Sequence, residues 1–382
     1  MEVEPAGQSV RRDYRVDFLR GLSILSVLVL HFNIAYRLIE SPLGRFLPGP
    51  YLRNLVWNGN YGVTVFFAIS GYLITSTSMR RFGRLDKVSP RVFYAFRFAR
   101  IFPSLLLVLA LVSGLALAGV KIFQDNEHVP LWVADLSVLT FWHNILMARF
   151  GYFNYCLNIL WSLSVEEVFY LAFPMLCVLL RKTRWIFIVW IAAIVAGPVY
   201  RATHSHNEIE FLYGYLACFD AIAMGCCAAV LARLVILNSL TRNLLQAAAF
   251  ILMLWIFLRA GIDSVPVWGT SLMALGAAVF LFAEGAVKAS SGKVPTVADR
   301  LSAPIGWFGR HSYELYLFHI VLLAGMMSVW TRKQIPDAAK PWCLLLFVTL
   351  SALVAWAVAR FYSEPLNRGL RARLISRKRI AS

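Results

Sequence analysis

Ten apolar stretches, each long enough to cross a lipid bilayer, lie along the chain at about residues 17–37, 61–79, 100–120, 164–180, 185–200, 213–232, 243–259, 268–286, 311–330 and 342–361. Hydrocarbon offers a peptide no hydrogen-bond partners, so a span of about 20 residues has to satisfy its backbone internally, as helix. Composition agrees, with 59% hydrophobic residues, 15% charged residues and a mean hydropathy of +0.66. A water-soluble domain is excluded. The expected fold is all-α: a polytopic integral membrane protein of about ten transmembrane helices around a polar central cavity. Residues 16–365 form the membrane domain, flanked by basic cytoplasmic tails at 1–15 and 366–382.

Lys and Arg in the loops set the orientation. With the N-terminus in the cytoplasm, 26 basic residues fall on that side and 10 outside, with Arg360 ending the last span. The net charge of +17 then reflects topology and affinity for anionic headgroups rather than nucleic-acid binding. The apolar segment after Arg20 holds His31 and lacks a small-x-small cleavage site, so the first helix is expected to be retained. The six cysteines sit mostly inside apolar runs with no metal or redox spacing, and read as small buried hydrophobes; no metal is expected. The patch Leu136–Met147 is too short and polar to span, so it reads as re-entrant or interfacial. The loop Arg201–Glu210, with His204 and His206, reads as solvated.

Against this apolar background the ionisable residues stand out, because a charge inside a bilayer costs several kcal/mol and usually faces a polar interior. In the first helix, Arg20 and His31 are eleven residues apart, three turns plus about 20°. They share one face with Asp17 and stand about 16 Å apart along the axis. An imidazole is suited to take a hydroxyl proton near neutral pH; the other reading is an interfacial arginine and a satisfied core histidine. Glu166 and Glu167 follow Trp161, Ser162 and Ser164 at the outer start of the fourth span. Helix capping explains one carboxylate, and the other lies at the depth of His31, where it can orient the imidazole. Arg97 and Arg100, one turn apart, suit phosphates through bidentate bonds or anchor headgroups. Tyr313, Tyr316 and His319 lie on one side of the ninth span and call for a polar cavity or buried partners. Ser70 and Gly71 read as close helix packing, with substrate contact the other reading.

Five segments together resemble the membrane-bound acyltransferase-3 family of O-acyltransferases. These are Arg20 with His31, FFAISGYLIT, Arg97 and Arg100 followed by Ile101 and Pro103, WSLSVEE, and SYELYLFH, in family order over about residues 14–365. The resemblance implies transfer of an acyl group, acetyl foremost, from cytoplasmic acyl-CoA as co-substrate to a hydroxyl of a cell-surface glycan or lipid-linked saccharide. Lipopolysaccharide O-antigen, exopolysaccharide, Nod factor and peptidoglycan are such acceptors, and some members act on macrolides. It also implies a bacterial-type inner membrane. His31 would be general base or transient acyl carrier, with Glu166, and less so Glu167, orienting it. Arg20, Arg97 and Arg100 would hold the donor, and Asp17, Ser70, Tyr313, Tyr316 and His319 would line the cavity. With no hydrolase-like domain before Ser382, acceptor capture is expected to fall to the membrane domain or a partner. The rival from another class is a proton-coupled transporter or flippase; the sequence shows none of the internal repeats common in such proteins.

The charge count has a direct test. A single cysteine in the loop 38–60, such as at Asn58, should react with an impermeant thiol reagent in intact cells, and one at Lys293 should not. The opposite pattern would invert the topology.

Overall fold

A computed structural model describes residues 13–124, 128–262, 265, 267–286 and 302–380, with side chains of the last helix described as far as residue 373. Most of the N-terminal tail (1–12), most of the inner loop 287–310 and Lys293 lie outside the described residues. Among the described residues, ten helices are long and apolar enough to span, at the ten expected places. They are carried by α1 (Tyr14–Tyr36), α3 (Asn60–Phe82), α4 (Pro90–Leu117), α7 (Trp161–Leu180), α8 (Thr183–Thr203), α10 (Tyr215–Leu234), α11 (Ser239–Arg259), α12 (Trp268–Gly285), α14 (Ser312–Val329) and α15 (Lys340–Val358). Short helices link them: α2 (Gly49–Trp57), α5 (Leu131–Leu139), α6 (His143–Phe150), α9 (Glu208–Tyr213) and α13 (Ala303–Arg310). A π-helical turn (Ala359–Ser363) joins α15 to α16 (Glu364–Ile380).

Burial sorts the spans. The apolar windows of α3 and of the α9–α10 span are 72% and 78% buried, against 28% for α8, 28% for α11 and 22% for the last span. The first two are therefore the centre of the bundle, while the others show Ile188, Val195, Ile251, Trp255, Leu353 and Trp356 outward, as helices facing hydrocarbon should. The centre is packed through small residues. A Cβ on Gly71 would sit 1.9 Å from the Ile222 carbonyl oxygen, and one on Gly225 would sit 1.9 Å from that of Ala68, so α3 and α10 cross backbone to backbone. Gly21 and Gly309 do the same for α1 and α13.

Several expectations are corrected. The span read at 100–120 starts earlier: α4 begins at Pro90, where a fixed φ suits a first helical turn, and runs past Pro103, so Arg97 and Arg100 lie two to three turns inside it. Arg201, read as part of a solvated loop, ends α8 and is fully buried. It makes a bidentate pair with Asp220 of α10 (2.6 and 3.2 Å), and also bonds Ser271 Oγ and the Val267 and Ala217 carbonyls. Removing one partner from so buried a pair costs about 3–5 kcal/mol. The patch 136–147, expected not to span, forms parts of two short helices broken at Phe141, whose φ is +66°. Residues 364–380 continue as α16, packed along α4. Asn58 is buried and bonded to the Phe257 and Ala260 carbonyls, so the outer thiol probe is better placed at Phe46, which is 81% exposed.

On the side where α1 ends, Glu40 accepts from Lys340 (2.8 Å) and Arg332 (2.6 Å). The Lys340 bond, more than the Arg332 one, holds its carboxyl down at about 2.

Gly71→Ala is expected to lower the melting temperature in detergent by several degrees, since overpacking costs about 1–3 kcal/mol. Gly114→Ala, with nothing within 4 Å of the added methyl, should leave it unchanged. Equal melting of the two variants would refute the crossing.

Candidate active site

The shared face read from α1 is turned on α14. Arg20 Nη2 donates to Ser312 Oγ at 2.8 Å, and His31 Nδ1 lies 3.2 Å from His319 Nε2. Both contacts run from lower to higher residue numbers on both helices, so α1 and α14 point the same way, as the first and ninth spans of an alternating bundle must.

A cavity of about 120 Å³ opens beside this pair, lined by Arg20, Ser70, Arg97, Arg100, Ser162, Glu166, Tyr170, Ser312, Tyr313 and Tyr316 together with apolar residues of α3, α4, α7 and α14. Three guanidinium groups and one carboxylate line it, an excess of positive charge that suits an anion. Each polar wall has a local cause. Ser162, Glu166 and Tyr170 fall at i, i+4 and i+8, a single stripe of α7. The Tyr170 hydroxyl pairs with Ser70 and donates to Glu166 Oε2 at 3.3 Å, while its ring carries the Arg97 guanidinium 3.9 Å from the centroid. Tyr313 donates to the Ile101 carbonyl at 2.8 Å, next to Pro103, and Tyr316 to that of Ile159 at 2.8 Å, with Ser162 Oγ 2.7 Å away.

The histidine pair stands one turn beyond Tyr316, whose ring centroid is 6.0 Å from that of His319. The hydrogen-bond network assigns the tautomers. His31 Nδ1–H donates to the Val27 carbonyl at 2.9 Å, so Nε2 carries the lone pair. His319 Nδ1–H donates to the Leu315 or Tyr316 carbonyl, which leaves its Nε2 as an acceptor facing His31 Nδ1. His31 Nε2 is thus a base, and a neutral imidazole braces the opposite nitrogen. The Val27 carbonyl shares the His31 Nδ1–H with His319, and the Leu315 and Tyr316 carbonyls hold the far nitrogen of His319.

Sequence reasoning assigned that bracing to a carboxylate. Glu166 instead lines the cavity with the arginines, and the bonds on His31 go to Val27 and His319. Glu167 is not among the lining residues, and its Oε1 is buried and without a hydrogen-bond partner among the described residues. Asp17 also stands outside the lining and pairs with Arg310 at 3.9 Å. The pair Ser70–Gly71 divides, one residue facing the cavity and the other the helix crossing. Ser162, Tyr170 and Ser312 were missed. The i, i+4, i+8 stripe through Glu166 was enough to find the first two, whereas Ser312 follows only from where α14 docks.

The family model described as an acyltransferase domain matches residues 13–360. The chain is 24% identical over 375 residues to the O-acetyltransferase OatA of Staphylococcus aureus strain NCTC 8325, with 92% of this chain and 57% of OatA covered. It is 23% identical over 380 residues to the putative O-acetyltransferase SACOL0978 of Staphylococcus aureus strain COL, with 94% and 58% covered. The chain therefore spans under two-thirds of these relatives' length. No solved structure matches it.

His31→Ala should lower acyl transfer by about 10²–10⁴-fold at matched protein level, the usual contribution of a general base. His319→Ala should cost less, about ten-fold or more, and alter the pH profile of the rate. A profile identical to the parent's would remove His319 from the positioning of His31.

Proposed function

The chain belongs to the acyltransferase-3 family, and we propose that it is a membrane O-acyltransferase that moves an acyl group, acetyl foremost, from cytoplasmic acyl-CoA to a hydroxyl of an extracytoplasmic glycan or lipid-linked saccharide. The observation that carries this reading is the polarity of the site: three guanidinium groups around one cavity, and one turn beyond it a histidine with a free lone pair. The names of the relatives, O-acetyltransferases, favour acetyl as the group moved.

The positive-inside count supports an arginine end toward the cytoplasm with both termini there, and the bacterial relatives favour a bacterial-type inner membrane. Arg20, Arg97 and Arg100 would hold the anionic donor by charge-assisted bonds. The pantetheine arm, about 16–20 Å long, then matches the Arg20 to His31 rise of about 16 Å, so the thioester reaches the histidines while the nucleotide stays inside. His31 Nε2 takes the proton of the acceptor hydroxyl, the oxygen attacks the thioester carbonyl, and the proton passes to the departing thiolate. His319 Nε2 and the Val27 carbonyl share the Nδ1–H, which favours the charged imidazole formed midway. Glu166 would compensate part of the arginine charge when the donor is absent, and through Tyr170 it would hold the wall on which Arg97 rests.

The test is release of CoA from acetyl-CoA by purified protein in lipid nanodiscs with a glycan acceptor. Arg97→Ala and Arg100→Ala should each raise the donor KM about ten-fold or more, with lysine rescuing only in part because the bidentate fork is lost. No acetyl-CoA turnover by the parent protein would sink the reading.

A further inference from the structure

Basic groups continue below the cavity on three elements that the sequence separates widely. Phe96 precedes Arg97 and lies on the face of α4 that carries Arg100, four residues on. Its ring holds two guanidinium groups from elsewhere: Arg81 from the last turn of α3 at 3.8 Å from the centroid, and Arg371 of α16 at 5.1 Å. Arg371 is half-buried, and its Nε is buried with no hydrogen-bond partner among the described residues. Its charge acts on those of Arg81, Arg97 and Arg100. Among the described residues, no carboxylate lies within ion-pair distance of Arg97, Arg100 or Arg371, whereas nearby Arg84 and Arg368 have Asp86 and Glu364. Like charges gathered in this way repel one another, and a buried N–H left unpaired is unfavourable. An anion relieves both. Resting on a ring face does not use the in-plane N–H donors of Arg371, which such a ligand can take.

We propose that Arg81 and Arg371, held on Phe96, bind the ribose 3′-phosphate of the coenzyme A donor, with Arg97 and Arg100 taking its diphosphate. This assignment rests on the donor reading above. It makes α16 part of the donor site, so that helix would contribute specificity as well as positive charge.

The experiment is competition by CoA and by dephospho-CoA, which lacks only the 3′-phosphate, against labelled acetyl-CoA bound to the nanodisc protein. The parent should prefer CoA about ten-fold or more. Arg371→Gln and Arg81→Gln should lose that preference while keeping the affinity for dephospho-CoA, and Arg97→Ala should weaken both ligands and keep the preference. Phe96→Leu, which keeps apolar volume, should reduce the preference, and it serves where an arginine variant fails to fold. Full preference in the variants would overturn the subsite. So would loss of co-purifying anionic phospholipid with the preference intact, which would make the cluster a headgroup site. A parent protein that binds no acetyl-CoA would instead bring down the donor reading.

Discussion

Two side-chain contacts, Arg20 to Ser312 and His31 to His319, lock the first and ninth spans side by side over the whole depth of the site. In hydrocarbon an arginine or histidine without a partner would favour a different helix packing, so these contacts decide which face of α1 turns inward and which helix it meets. The remaining walls follow. With α14 in place, Tyr313 reaches α4 beside its proline and Tyr316 reaches the start of α7, so the helices bearing Arg100 and Glu166 are tied to the same post.

The bundle treats buried polarity in two ways. At Arg201 and Asp220 every strong donor and acceptor finds a partner in the protein, and the cluster is closed on all sides; it joins α8, α10 and α12 and leaves no room for a ligand. In the cavity the arginines outnumber the carboxylates, several groups keep capacity unused, and the lining is only partly buried. The first arrangement is a structural staple. The second has the excess of one sign and the open volume that binding requires.

Much of the site was legible because membrane helices leave few places for a charge. Arg20, His31, Arg97, Arg100 and Glu166 each stood out as ionisable groups in apolar sequence, and a helical net was enough to put Arg20 and His31 on one face. The reading failed where it needed distances between helices. Glu166 and His31 were placed at one depth from helix starts alone, yet α7 brings Glu166 to the arginines, and the neighbour of His31 is a second histidine 288 positions away. Arg201 read as a loop charge because its sequence neighbours are polar, although its partner lies in the next span.

The sequence by itself determined ten spanning helices, because spans of that length and apolarity are satisfied only as helix in a bilayer. It also determined which side chains have to be sheltered from lipid, and the small residues through which backbones can meet. Only the tertiary structure decided which sheltered groups share a cavity and which close on one another. Helix order around a bundle is set by packing of small residues and by long-range polar pairs. Neither leaves a periodicity in the chain, since each partner is indifferent to its own sequence neighbours.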